Sequence, residues 1–192
     1  MAYSPRRERD FYAVKRMRAG RWRRAGATAA ALLLVSSVAG GCQVGPAPPG
    51  PAELRTGAPP WDAPRDAVSY IDKAGFERLP LDFSGPSPYT LTLSVTVDGA
   101  PVQVPAGIGV DRVRAEQAAV HTHTTDGLVY VEAKTTTERP TLAQFFTLWG
   151  VKYDAKCLGD ACGSLTVTVD GQPAPWDTPL TPKAQVSVTA RG

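Results

Sequence analysis

Tyr89-Thr90-Leu91-Thr92-Leu93-Ser94-Val95-Thr96-Val97-Asp98-Gly99 is the stretch that decides the fold class. Leu91, Leu93, Val95 and Val97 alternate with Thr92, Ser94 and Thr96. Successive side chains of a strand point to opposite faces, so this strand has one apolar face and one hydroxyl-bearing face. Asp98-Gly99 suits a two-residue hairpin turn, in which both residues take a positive φ. Val102 and Val104 continue on the return strand, which Pro105-Ala106-Gly107 ends. Further along, Val167-Thr168-Val169-Asp170-Gly171-Gln172-Pro173 repeats Val95-Thr96-Val97-Asp98-Gly99-Ala100-Pro101 almost residue for residue. Two copies are too few for a solenoid and predict two similar hairpins in one mixed sheet. Gln185-Val186-Ser187-Val188-Thr189-Ala190 reads as a closing strand.

Between the two copies lies a third hairpin signal, Asp126-Gly127. A two-residue turn there pairs Thr125 with Leu128, His123 with Tyr130 and His121 with Glu132. Val120, Thr122, Val129 and Val131 then share a core-like face, and His121, His123, Tyr130 and Glu132 share the other. Thr141-Leu142-Ala143-Gln144 has the capping-box pattern, with Thr as N-cap and Gln three residues on. It predicts a helix over 142–149 that stops at Gly150. Leu142, Phe145, Phe146 and Trp149 fall on one face of it, which makes it a core plug rather than a ligand box. A shorter helix is expected over 64–74, with Ala67, Val68, Ile71 and Ala74 inward and Gly75 as the stop. Helices interrupting mainly antiparallel strands predict a single β-rich α+β domain over 66–192, its C-terminal half loosely reminiscent of a β-grasp.

The net charge of +3 averages two unlike segments. Residues 1–41 carry nine Lys/Arg against two Asp/Glu, and residues 42–192 carry twelve against sixteen. The basic excess is a targeting feature, so no nucleic-acid partner is expected. Arg16, Arg18, Arg21, Arg23 and Arg24 precede an apolar, Ala-rich run over 25–39, shorter than the roughly 20 residues of a membrane span. That is the layout of a bacterial signal peptide. Met17 gives a signal of ordinary length, and Arg23-Arg24 leaves the general and the twin-arginine export routes both open. The signal ends Val38-Ala39-Gly40-Gly41-Cys42. Small residues before a cysteine resemble a lipobox, whose thiol takes up diacylglycerol, so Cys42 is the expected lipid anchor. Two acyl chains hold a protein stably at a membrane, where one does not. The expected location is the outer face of the cytoplasmic membrane. Residues 42–65, rich in proline and glycine, are expected to be an extended tether.

Three cysteines in an exported chain leave one odd thiol. Cys157-Leu158-Gly159-Asp160-Ala161-Cys162 brings two close enough to bridge, and lipidation accounts for Cys42. The spacing is wrong for a Cys-x-x-Cys redox motif, and no second cysteine pair completes a zinc site. A structural disulfide is the favoured expectation, beside a redox pair or half a metal site.

Several segments together resemble a family of uncharacterised secreted and lipid-anchored bacterial domains. They are Ala74-Gly75-Phe76, Val97-Asp98-Gly99-Ala100-Pro101-Val102, Pro105-Ala106-Gly107-Ile108-Gly109, His121-Thr122-His123, the run from Thr141 to Gly150, and Cys157-Leu158-Gly159. The resemblance covers residues 66–192 and speaks to fold and location. Family members often carry histidine where this chain has Thr90, Thr92 and Tyr130, so a face that is histidine-rich in the family keeps only His121 and His123 here.

His121, His123 and Glu132 are the candidate ligands of a transition metal. Imidazole suits copper, zinc and nickel, and a His-x-His pair on one strand puts both rings on one face. Asp126 is the nearest further candidate. The plainer alternative is a pair of solvent-facing histidines, or histidines packed on Tyr130. No nucleophile elbow, phosphate-binding glycine loop or His-Glu-x-x-His is present, so no catalysis is expected. The expectation is a membrane-anchored binding or accessory domain, with a protein partner or a metal as its ligand.

Overall fold

The computed structural model describes residues 45–192. The expected signal peptide and Cys42 lie outside the described residues. The elements in chain order are α1 (Ala67–Lys73), β1 (Leu79–Pro80), β2 (Tyr89–Val97), β3 (Ala100–Val102), β4 (Val110–Asp111), β5 (Glu116–Gln117), β6 (Val120–Thr122), β7 (Leu128–Val131), α2 (Leu142–Trp149), β8 (Ser164–Val169), β9 (Gln172–Ala174) and β10 (Gln185–Arg191). This is the expected β-rich α+β domain. Among the described residues, no helix is long and apolar enough to cross a membrane.

The main sheet has the order β6-β7-β2-β10-β8-β9, with β3 on the same edge of β2 as β7. β10 lies parallel to β2, pairing Val188 with Val95, and antiparallel to β8, pairing Val188 with Val167. The closing strand therefore joins the two hairpin copies through the middle of the sheet. The C-terminal half does not stand by itself, because its last strand is completed by β2 of the first half. A small second sheet runs β1-β5-β4.

Alternation fixes the faces. Leu91, Leu93, Val95, Val97, Val186, Val188 and Ala190 point into the core, while Thr92, Ser94 and Thr166 face solvent. The Asp-Gly pairs do what their chemistry requires. Asp98 and Gly99 have φ of 50° and 83°, and Asp170 and Gly171 have 52° and 78°, the all-positive geometry of a tight hairpin turn.

α2 is built as its sequence predicts. Thr141 Oγ1 accepts from the Gln144 amide, and Gln144 Oε1 accepts from the Thr141 amide, closing the capping box. Gly150 ends the helix at φ 70°. Leu142, Phe145, Phe146, Leu148 and Trp149 are wholly buried. Burying side chains of this size contributes about 1.5–3 kcal/mol each relative to exposure, and Trp149, Phe145 and Phe146 are the largest fully buried side chains among the described residues.

The N-terminal boundary needs correcting. Residues 42–65 were expected to be an extended tether, with the domain starting at Asp66. Trp61 instead sits in the core at 3 % exposure, and its ring meets Trp149 edge-on at 5.8 Å. The Trp149 indole donates to the Trp61 carbonyl at 2.9 Å. Arg55 bridges Val151, donating its amide to the Gly150 carbonyl at 2.9 Å and accepting from the Lys152 amide at 2.9 Å. Composition misled because proline and glycine disfavour regular elements without preventing a single tryptophan from docking.

Candidate functional site

The histidine corner is assembled by β6, β7 and the segment ahead of them. β6 pairs with β7 through Val120–Val131, His121–Tyr130 and Thr122–Val129. The expected pairing of His123 with Tyr130 and His121 with Glu132 is thus displaced by two residues. An even displacement keeps every side chain on its expected face. It also takes His123 out of the strand, into a connection of residues 123–127. The reason lies in β2: the Leu93 amide donates to the Gly127 carbonyl at 2.8 Å, and Leu128 pairs with Thr92. Gly127 is tied to β2 just ahead of β7, and the connection from β6 runs over five residues.

His121 is fully buried, contrary to a solvent-facing placement. Its Nδ1 lies 3.0 Å from the Ala118 carbonyl oxygen, which can only accept. The ring proton is therefore on Nδ1, and Nε2 carries the lone pair. Burial pushes the His121 pKa down to about 4; the Ala118 carbonyl opposes this, and His123 adds to it. The ring is neutral at physiological pH, the form in which imidazole binds metal.

His121 Nε2 faces two groups. His123 Nε2 is 3.1 Å away, and Glu132 Oε2 is 3.8 Å away. Two nitrogens about 2.0–2.1 Å from one ion are roughly 2.9–3.4 Å apart for right-angled to tetrahedral geometry. The imidazole pair already has that separation. Without a metal, a proton on His123 Nε2 donates to His121 Nε2 along the same line. Tyr130 backs both rings, parallel to His121 with centroids 5.8 Å apart and edge-on to His123 at 4.8 Å. His123 is exposed, so the corner opens to solvent on its side.

Gln117 was not singled out from the sequence. It is buried at 2 % exposure, and its amide donates to the Phe83 carbonyl at 2.9 Å and to Glu132 Oε2 at 3.1 Å. Glu132 is thus aimed by a side chain that is itself anchored. Imidazole Nδ1–H on a carbonyl, and a carboxylate held by an amide, are the outer contacts that orient metal ligands. A polar residue flanked by Ala118, Ala119 and Val120 was the available signal for Gln117, visible only once those neighbours were known to be core.

Asp126 does not join the group. Its carboxylate accepts from the Thr124 hydroxyl at 2.6 Å and the Leu128 amide at 3.1 Å, and these bonds hold its pKa below the usual carboxylate range. It shapes the connection instead. Among the described residues, no set of three or more His, Cys, Asp or Glu side chains forms a ready-made metal cage. The corner is a two-imidazole pair with a carboxylate standing beside it.

Cys157 and Cys162 are disulfide-bonded with Cα atoms 4.2 Å apart. Asp154 accepts from the Lys156 and Cys157 amides, and Leu158 is wholly buried. A Cβ at Gly159 would lie 2.6 Å from the Gly57 carbonyl and from the Trp61 ring, so this loop is the seat on which the N-terminal segment rests. No family model, curated protein or solved structure matches the chain, and the corner must be judged on its own chemistry.

Proposed function

We propose that this protein is an exported binding domain, lipid-anchored through Cys42 at the outer face of the cytoplasmic membrane, that takes a copper or zinc ion at His121 and His123. The observation that carries the metal reading is the 3.1 Å approach of the two Nε2 atoms, with His121 fixed in its ligating tautomer by the Ala118 carbonyl. Glu132, 3.8 Å from His121 Nε2, supplies a third donor after a small movement toward the ion. Solvent on the His123 side supplies the remainder. Two or three protein ligands and open positions suit holding and handing over an ion.

The anchor rests on the basic run, the short apolar segment and the small residues before Cys42. A disulfide elsewhere in the chain suits an oxidising compartment. Replacing Cys42 by Ser is expected to move the protein from the membrane fraction to the soluble fraction. The metal reading is tested by titrating Cu(II) and Zn(II) into the mature protein and into His123→Ala, which removes the exposed ring and its contacts to His121 and Tyr130. One ion per chain, lost in the variant, is the expected result. A wild type that holds neither metal leaves a lipid-anchored domain whose ligand is a protein partner.

A further inference from the structure

Residues 47–61 are bound along the domain through Ala47, Gly50, Glu53, Arg55 and Trp61, and the first of these follows the expected anchor by five residues. The Ala47 carbonyl accepts from Arg114 Nη2 at 2.6 Å. The Gly50 amide donates to Asp66 Oδ2 at 2.5 Å, and the Gly50 carbonyl accepts from the Ser69 hydroxyl at 2.5 Å. The Glu53 carbonyl accepts from the Tyr70 hydroxyl at 2.9 Å. Arg55 and Trp61 complete the attachment as described above. The first of these contacts is at Ala47, five residues after Cys42 in the chain. Five residue steps span roughly 17 Å when fully extended. The tether expected from composition, residues 42–65, has a contour of roughly 80 Å.

Where this short leash from Cys42 arrives is therefore the pole that meets the membrane. Arg114 belongs to the turn between β4 and β5, where Asp66 and Asp111 hold it at 2.8 and 3.0 Å. With its charge matched, Arg114 serves as a clip for the strap. The two residues before it are different. Arg112 is exposed, and Val113 is 72 % exposed, the most exposed large hydrophobic side chain among the described residues. An apolar side chain beside an unburied cation at a turn fits a lipid surface, with the valine below the headgroups and the arginine among anionic phosphates. The headgroup zone is about 5–8 Å deep on each side, well within reach of so short a leash.

We infer that the segment 47–61 is an orienting strap, which holds the β4–β5 turn against the membrane with Arg112 and Val113 in contact with anionic lipid. This rests on lipidation of Cys42. A domain so held keeps one pole on the bilayer and does not sample all orientations.

The test uses the full lipidated protein in vesicles of phosphatidylglycerol and phosphatidylcholine with brominated acyl chains. Val113→Trp places a reporter on the turn, and the parent protein supplies the background from Trp61, Trp149 and Trp176. The expected result is blue-shifted, bromine-quenched emission from the variant. It should fall several-fold when twenty Gly/Ser residues are inserted between Pro46 and Ala47, because a longer leash lowers the effective concentration of the turn at the surface. Protein that floats with the vesicles while Val113→Trp stays unquenched overturns the strap inference and leaves the anchor standing. Protein that does not float with the vesicles, and behaves like Cys42→Ser, overturns both.

Discussion

The two ends of the main sheet carry nearly the same turn signal and put it to different uses. At one end, β8 and β9 are joined by Asp170-Gly171 alone, with Val169 opposite Gln172. At the other, β6 and β7 flank Asp126-Gly127, yet five residues lie between Thr122 and Leu128. The first hairpin is decided locally, by two residues that tolerate positive φ. The second is decided by β2, which requires the Gly127 carbonyl for the Leu93 amide. The longer connection has a chemical result. His123 lies just past the end of β6, and its Nε2 meets that of His121.

The largest expected difference between the ends is in backbone tolerance. Gly127 has φ 82°, and a Cβ there would press into the Leu93 carbonyl. Gly171 has φ 78° with open space around it. Gly127→Ala is expected to cost about 4 kcal/mol, combining left-handed strain with a backbone clash. Gly171→Ala should cost about 1 kcal/mol from strain alone. Urea unfolding of the two variants measures both, and equal costs would show that the β6–β7 connection is not held by β2.

Next in size is the pH dependence of the metal-free protein. His121 has a folded pKa of about 4 against 6.5 unfolded, so the unfolded chain binds the extra proton first as pH falls. The contribution is complete above pH 6.5 and is lost as pH drops toward 4. It amounts to about 3 kcal/mol by the usual conversion. His121→Gln should flatten this part of the stability profile, while substitutions at the β8–β9 end leave it unchanged. An unaltered profile would mean that another group carries the dependence.

Gln117 sharpens the comparison in affinity. Gln117→Leu removes the amide that aims Glu132, and loss of such an outer contact weakens metal binding about 10- to 100-fold. Thr168→Val at the far end should leave the dissociation constant where it was. Isothermal titration with Zn(II) distinguishes them, and an undiminished affinity in Gln117→Leu would remove Glu132 from the site. The smallest effect belongs to Asp126. Asp126→Ala should lower stability by about 1 kcal/mol through the lost turn bonds, visible as a modest fall in Tm. Metal affinity should not change, because the carboxylate is spent on Thr124 and Leu128.

Much of the fold was legible for reasons these ends illustrate. The alternation in β2 and β8, the Asp98-Gly99 and Asp170-Gly171 turns, and the Thr141–Gln144 capping box all depend on residues within three or four positions of one another. The candidate site was half legible. His121, His123 and Glu132 were expected on one face, and that parity held because the displacement was even. The burial of His121, the help of Gln117 and the exclusion of Asp126 were not legible. Each depends on a neighbour far away in the chain, such as Phe83 for Gln117 or Leu93 for the Gly127 connection.

Local chemistry could be read from the order of residues: which of them alternate, where the chain turns sharply, how α2 starts and stops, and that Cys157 and Cys162 lie within reach of each other. Long-range packing set the rest: β10 runs parallel to β2 between the two hairpin copies, Trp61 and Arg55 draw a proline-rich segment onto the domain, and two imidazole nitrogens meet at 3.1 Å. The physical reason is the same in each case. Short-range preferences act between atoms that covalent geometry already holds close. Strand order, burial and side-chain convergence depend on which distant surfaces exclude water together, and no window of sequence contains both partners.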